Sequence, residues 1–140
     1  MSMELLQQLA FALSVVAVLL CGAFGGRPER VGAAIVVVAT GVTWIAQFSF
    51  DRTPELAFLL IDLATGLAFA VLLFRTRLLW PGVAACAQLL LTAFNATRFL
   101  DFPLSESSYI MVLQLSGVIL SAALLYGVWE RRFPRRQEAW

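Results

Sequence analysis

Asp62 stands in the stretch "LLIDLATGLAF", residues 59–69, among side chains that partition readily into oil. A carboxylate in such a setting can hold a proton, a cation or a substrate amine, or it can accept hydrogen bonds from neighbouring helices. A charged side chain near the centre of a bilayer costs at least ~2.5–3.5 kcal/mol on insertion scales, so Asp62 must face protein or water, or be protonated. Asp62, Gly66 and Ala70 recur every four residues, which puts the acid on a helical face with the small residues that allow close packing. That face is expected to be an interface.

Other apolar stretches carry similar stripes of polar and small residues: Gln7, Ala10 and Ser14; Ala39, Thr43 and Gln47; Ala84, Gln88, Thr92 and Ala96; Gln114, Gly117 and Ser121. At about 1.5 Å of rise per residue, Asp62 lies about 12 Å below the outer surface and Gln88 about 15 Å. Gln114 and Thr92 lie at about 9 Å, and Gln47 and Asn95 at about 5 Å. These groups converge on one half of the membrane. Asp62 could accept hydrogen bonds from Gln114, Thr92 or Gln88, and Arg98 could reach inward toward the same cluster. Gly66, Ala70, Gly117 and Ser121 are the expected helix-packing positions.

Three readings of the cluster follow. The plainest is polar glue, interhelical hydrogen bonds averaging about 0.6 kcal/mol that specify which helices pair. The sharper is an outward-open pocket, with Asp62 as the proton- or cation-binding group and Gln47, Gln88, Thr92 and Gln114 along the route. The third pairs Asp62 with a charge on another subunit.

Several chemistries are disfavoured by composition. The chain has no histidine, which removes haem b ligation, most membrane zinc sites and a histidine base. Cys21 and Cys86 form no C-x-x-C pair and read as small buried hydrophobes. A serine or aspartyl mechanism needs a partner base or a second carboxylate at depth, and neither is found. No enzyme activity, cofactor or metal is therefore expected. "NAT" at residues 95–97 fits a glycosylation pattern but lies at an expected helix end and is short enough to arise by chance, so no glycosylation is expected there.

The elements that must position these residues are long and apolar. Of 140 residues, 61% are hydrophobic and 14% charged, against roughly 45–50% and 25% in soluble domains. Apolar runs near the 20 residues needed to cross a core of roughly 30 Å recur along the chain. The fold expected is all-α, a polytopic membrane bundle of five transmembrane helices at about 3–24, 28–48, 54–74, 80–99 and 108–131, followed by an Arg-rich tail, 132–140. Pro28 suits the first position of the second helix; Thr53 caps the third, ahead of Pro54 and Glu55. The first run has Glu4 and no basic residue before it, unlike a signal peptide, and Leu20 before Cys21 departs from a lipoprotein box, so it is expected to remain as a helix.

All ten basic residues are arginines, and the net charge of +1 gives no reason to expect nucleic acid. Five spans put Arg27, Arg30, Arg75, Arg77, Arg131, Arg132, Arg135 and Arg136 on one side and only Arg52 and Arg98 on the other. Cytoplasmic loops are enriched in such residues, so the N-terminus is expected outside and the C-terminus in the cytoplasm. In "WERRFPRRQEAW" the residues Arg131, Arg132, Arg135 and Arg136 lie among aromatic rings and suit anionic lipid heads, each worth on the order of 1 kcal/mol. A docking tail for a soluble partner is the alternative.

The hairpins around "FDRTPE" and "LDFPLSE" share a helix, an aspartate, a proline and a second helix, a faint duplication in which Asp62 matches Gln114 and Gly66 lies near Gly117. In "RTRLLWPGVAACAQLLL", residues 75–91, two arginines, a Trp-Pro and a later glutamine resemble small uncharacterised multi-spanning inner-membrane proteins of proteobacteria. That resemblance covers about a third of the chain and implies a bacterial inner (plasma) membrane. The chain does not resemble the four-helix small multidrug exporters, whose essential glutamate lies in the first helix; here that helix has only Glu4, at its start. The expectation is a non-enzymatic accessory or structural subunit of a larger inner-membrane complex, its partners being the bilayer and other subunits or further copies of itself. The alternative is a small oligomeric transporter or channel that uses Asp62.

Overall fold

The computed structural model describes residues 2–49 and 54–133. It consists of α1 (Met3–Phe24), α2 (Arg27–Ser49), α3 (Pro54–Thr76), α4 (Leu79–Phe99) and α5 (Glu106–Arg132), with no strand among the described residues. All five helices are long and apolar enough to cross a membrane. Thr53, expected to cap α3, lies outside the described residues, as do Arg135 and Arg136.

Three helix starts fall earlier than the sequence suggests: α4 by one residue, at Leu79, and α2 and α5 for a capping reason. In α2 the carboxylate of Glu29 accepts a hydrogen bond from the Gly26 N–H at 2.7 Å, the reaching-back half of a capping box. Arg27 thus becomes the first helical residue, and Pro28 follows it. In α5 the Ser105 hydroxyl accepts from the Ser108 N–H at 3.3 Å, so Glu106 rather than Ser108 opens the helix, its carboxylate near the positive end of the dipole. α5 also runs one residue further than expected, to Arg132.

Each helix packs beside its neighbour in sequence, and α5 returns to α1, closing a ring. The α3–α4 contact is the most extensive. α4 is the least apolar span, with mean hydropathy 1.3 against 1.9–2.4 for the others, yet it is the most buried. Its inward stripe is Ala84, Gln88, Leu91 and Asn95. Two-residue links, Gly25–Gly26 and Arg77–Leu78, join helices at the end rich in arginine, whereas residues 100–105 connect α4 to α5 at the opposite, acidic end. Arg77 takes a left-handed backbone (φ 55°) just after α3, a common way to end a helix, whereas the Gly25–Gly26 link turns without one.

The core is concentrated toward the arginine end. Trp80, 1% exposed, lies against Phe69 edge-on, with ring centroids 6.3 Å apart, and shares its cluster with Ala17, Cys21, Ala33, Leu72, Leu120 and Leu124. Two glycines make room for the indole. A Cβ on Gly32 would lie 2.6 Å from Trp80 Cη2, and one on Gly127 would lie 2.8 Å from Trp80 Cδ1 and Nε1. The indole N–H has no acceptor among the described residues, so shape rather than hydrogen bonding holds the ring.

Beside it, Glu29 is 1% exposed and lies 3.7 Å from the Arg131 Nε. Arg131 also fills the space where a Cβ on Gly26 would stand.

Adding a methyl group beside Trp80 forces a rigid ring to move. Gly32→Ala and Gly127→Ala are each expected to destabilise the bundle by about 1–3 kcal/mol. Gly117→Ala, with nothing within 4 Å of the new Cβ, is expected to change stability by no more than about 0.5 kcal/mol. Unfolding of the three variants in detergent, compared with the parent, checks the contrast.

Candidate functional site

Asp62 enters from the α3 face that also carries Thr65, Gly66 and Phe69, all buried against the bundle. Its partner is Asn95 of α4, whose side-chain Nδ2 donates to Asp62 Oδ2. The other end of the same amide, Asn95 Oδ1, accepts from the Tyr109 hydroxyl of α5 at 2.9 Å. The Arg98 guanidinium lies over the Tyr109 ring, 4.3 Å from its centroid, a cation–π arrangement. Four residues from three helices thus form one frame, with the buried amide fully paired at its centre.

Asp62 Oδ1 receives no side-chain hydrogen bond among the described residues. The acid borders two cavities. One, about 280 Å³, is lined by Thr43, Gln47, Phe58, Asn95, Arg98 and Tyr109 besides Asp62. The second, about 200 Å³, reaches toward the core and is bordered by Thr43, Asp62, Thr65, Gln88 and, at its floor, Leu120. Gln88 is buried, and its Oε1 has no donor among the described residues. A larger cleft of about 880 Å³ opens between α1, α2 and α5 and contains Glu4, Gln7, Ser14, Gln47, Gln114 and Gly117. Gln47 borders both this cleft and the first Asp62 cavity.

The expected cluster is therefore divided. Gln47, Gln88 and Arg98 do border cavities that Asp62 also lines. None of the three expected hydrogen-bond donors to Asp62 is one: Thr92 donates to its own helix at the Gln88 carbonyl, 2.8 Å away, Gln114 faces the α1 cleft, and Gln88 makes no such bond.

The reason is helical geometry. A step of four residues turns a helix by about 400°, so the series 84, 88, 92, 96 drifts by about 120°, while 84, 88, 91, 95 stays on one face. Asn95 lies on the inward face and Thr92 does not. On α5 likewise, Ser116, Leu120, Ala123 and Gly127 face the core, whereas Gln114, Gly117 and Ser121 turn toward α1.

Gly66 packs closely on α4, its virtual Cβ 3.4 Å from Gln88 Cβ, and Ala70 packs against the core cluster. Ser121 meets Ser14 of α1 at 3.0 Å between hydroxyls. Gly117 borders the open cleft and has no close neighbour, so the suggested equivalence of Gly66 and Gly117 does not extend to their packing. At the arginine end, Arg131 is engaged by Glu29, and Arg132 lies 5.5 Å from the centroid of the Phe24 ring.

Asn95, placed by the sequence near the depth of the cluster, is the partner that Asp62 takes, through the inward stripe of α4. Two residues of consequence escape the sequence reading. Glu29 follows Pro28 in the first turn of α2, a capping signal. Tyr109 has no local signal, because its role depends on how α5 leans on α4. Among the described residues no group of three or more His, Cys, Asp or Glu side chains converges as a metal site would require. No protein-family model matches the chain, and neither curated proteins nor solved structures give a significant match.

The frame has an order of importance. Tyr109→Phe removes one neutral bond and is expected to cost about 0.5–1.5 kcal/mol. Asn95→Leu strips partners from both Asp62 and Tyr109 and is expected to cost more, about 1–3 kcal/mol for each buried group left unpaired. Denaturant unfolding in detergent checks this ranking; equal losses would contradict it.

Proposed function

We propose that this protein is a small, non-enzymatic multi-pass membrane carrier in which Asp62 receives a proton, a small cation or the ammonium of a substrate from the acidic end. The observation that carries the reading is an asymmetry. Asp62 borders two cavities at one end, with Thr43, Gln47, Gln88 and Arg98 among their otherwise largely apolar walls, whereas the other end is packed around Trp80 and tied by the Glu29–Arg131 pair. An intramembrane acid reached through such a cavity is the usual mark of an ion or substrate pathway. The packed end argues for binding followed by a conformational step rather than for an open pore.

The arginine distribution supports an outside N-terminus and a cytoplasmic C-terminus, which would make the acidic end external. The resemblance of residues 75–91 supports a bacterial inner membrane as the location. Arg132, Arg135 and Arg136 would then lie at the cytoplasmic lipid heads, with Arg131 held back by Glu29.

A second reading, an accessory subunit of a larger complex, is favoured by a different surface. An apolar groove of about 470 Å³ between α2 and α3 is bordered by Ala34, Ala39, Ala64, Thr65 and Ala68, small residues that let a helix of another subunit approach closely, with Val38 and Ile61 beside them.

Asp62→Asn separates the two. It preserves size and much of the hydrogen bonding but removes the charge. For a carrier, proton uptake into proteoliposomes, followed with an internal pH-sensitive dye, should fall at least about tenfold, each tenfold being about 1.4 kcal/mol of lost stabilisation, while oligomeric mass is unchanged. Uptake that survives the substitution, or native mass measurement that finds a stable complex with other proteins, favours the accessory subunit.

A further inference from the structure

From the frame around Asp62 we infer that the cavity between Asp62 and Arg98 takes a small zwitterion, a solute carrying an ammonium and a carboxylate a few ångströms apart. The inference rests on the proposed reading of Asp62 as a reachable binding group and adds the chemical class of what it binds.

Both charges border the same 280 Å³ cavity, yet among the described residues Asp62 and Arg98 form no ion pair. They are held apart. Asn95 fixes one oxygen of Asp62, the Tyr109 ring carries the Arg98 guanidinium, and the Tyr109–Asn95 bond of 2.9 Å locks the two supports together. Asn95 and Arg98 are three residues apart on α4, so the residue that holds Asp62 and the residue that carries the guanidinium are separated by about 4.5 Å along the helix axis.

A simple cation in this space would gain Asp62 but meet the Arg98 charge, and a simple anion would meet the reverse. A zwitterion oriented along the frame satisfies both, with its ammonium on the free Asp62 Oδ1 and its carboxylate on the guanidinium, the geometry that arginine recognises best. Thr43 and Gln47 offer further hydrogen bonds, and Phe58 an apolar wall. The volume is just below the usual range of roughly 300–1,000 Å³ for ligand pockets, which suits a solute of amino-acid size rather than a drug-sized one.

Three probes with a common three-carbon chain test the class on the full-length protein in detergent, by calorimetric titration: β-alanine, n-propylamine, which lacks the carboxylate, and propionate, which lacks the ammonium. β-Alanine should bind at least about tenfold more tightly than either, a difference of about 1.4 kcal/mol. Arg98→Gln should weaken β-alanine at least tenfold and tighten n-propylamine, while Arg98→Lys should retain part of the preference. A purely structural role for Arg98 would shift both probes in the same direction.

Equal binding of n-propylamine and β-alanine, unmoved by Arg98→Gln, overturns the zwitterion and leaves Asp62 as a cation site. Binding of none of the probes also overturns it. Asp62→Cys in a background free of other cysteines then decides the wider reading: labelling by a water-soluble, membrane-impermeant thiol reagent keeps Asp62 reachable, and complete protection from the reagent overturns the carrier as well.

Discussion

The fit of the Trp80 indole between two glycines is the constraint on which the rest of the bundle depends. A ring of five helices has a hole at its centre unless something fills it, and at the arginine end the filler is this one side chain, with Phe69 set edge-on against it. Gly32 and Gly127 let α2 and α5 come close enough to clasp the ring. Dispersion contacts of this kind are individually small and collectively large, and in lipid, where burial of apolar surface gains little, they are what hold helices together. The unpaired indole N–H is tolerated because the ring has no roomier place to go.

Nothing of comparable size fills the acidic end. There the inward positions are Asp62, Gln88, Asn95 and Thr43, side chains that need partners as well as space. Their hydrogen bonds are directional, so they leave gaps that a hydrocarbon core would close, and the cavities beside Asp62 are those gaps. The same bundle is thus sealed by shape at one end and organised by polarity at the other, and the carboxylate sits near the boundary between the two regimes.

Much of this architecture was legible from residue order. The five apolar spans and the punctuation between them follow from hydropathy, and the inward placement of Asp62 follows from the cost of a charge in lipid. The errors have specific causes. Counting polar residues in steps of four put Thr92 on the wrong face of α4, because the drift of the helix accumulates over three turns. The partner of Asp62 is Asn95, a residue placed near the cluster but not among the expected donors, because its shallower depth set it apart from the acid. Tyr109 could not be found from its own neighbourhood, since it matters only through the approach of α5 to Asn95. Glu29 is a subtler case: an acid among arginines reads as surface charge, yet the Gly26 N–H and Arg131 between them compensate its burial.

The links between helices differ at the two ends. At the arginine end two residues suffice, Gly25–Gly26 and Arg77–Leu78, whereas residues 100–105 span the acidic end between α4 and α5. Short links fix the spacing of the helix ends they join, so at the arginine end α1 with α2 and α3 with α4 are set by the covalent chain as well as by the Trp80 cluster. At the acidic end α4 and α5 are registered by side chains instead, the Asn95–Tyr109 bond among them, so the spacing of the groups around Asp62 is written in polar contacts rather than in chain length.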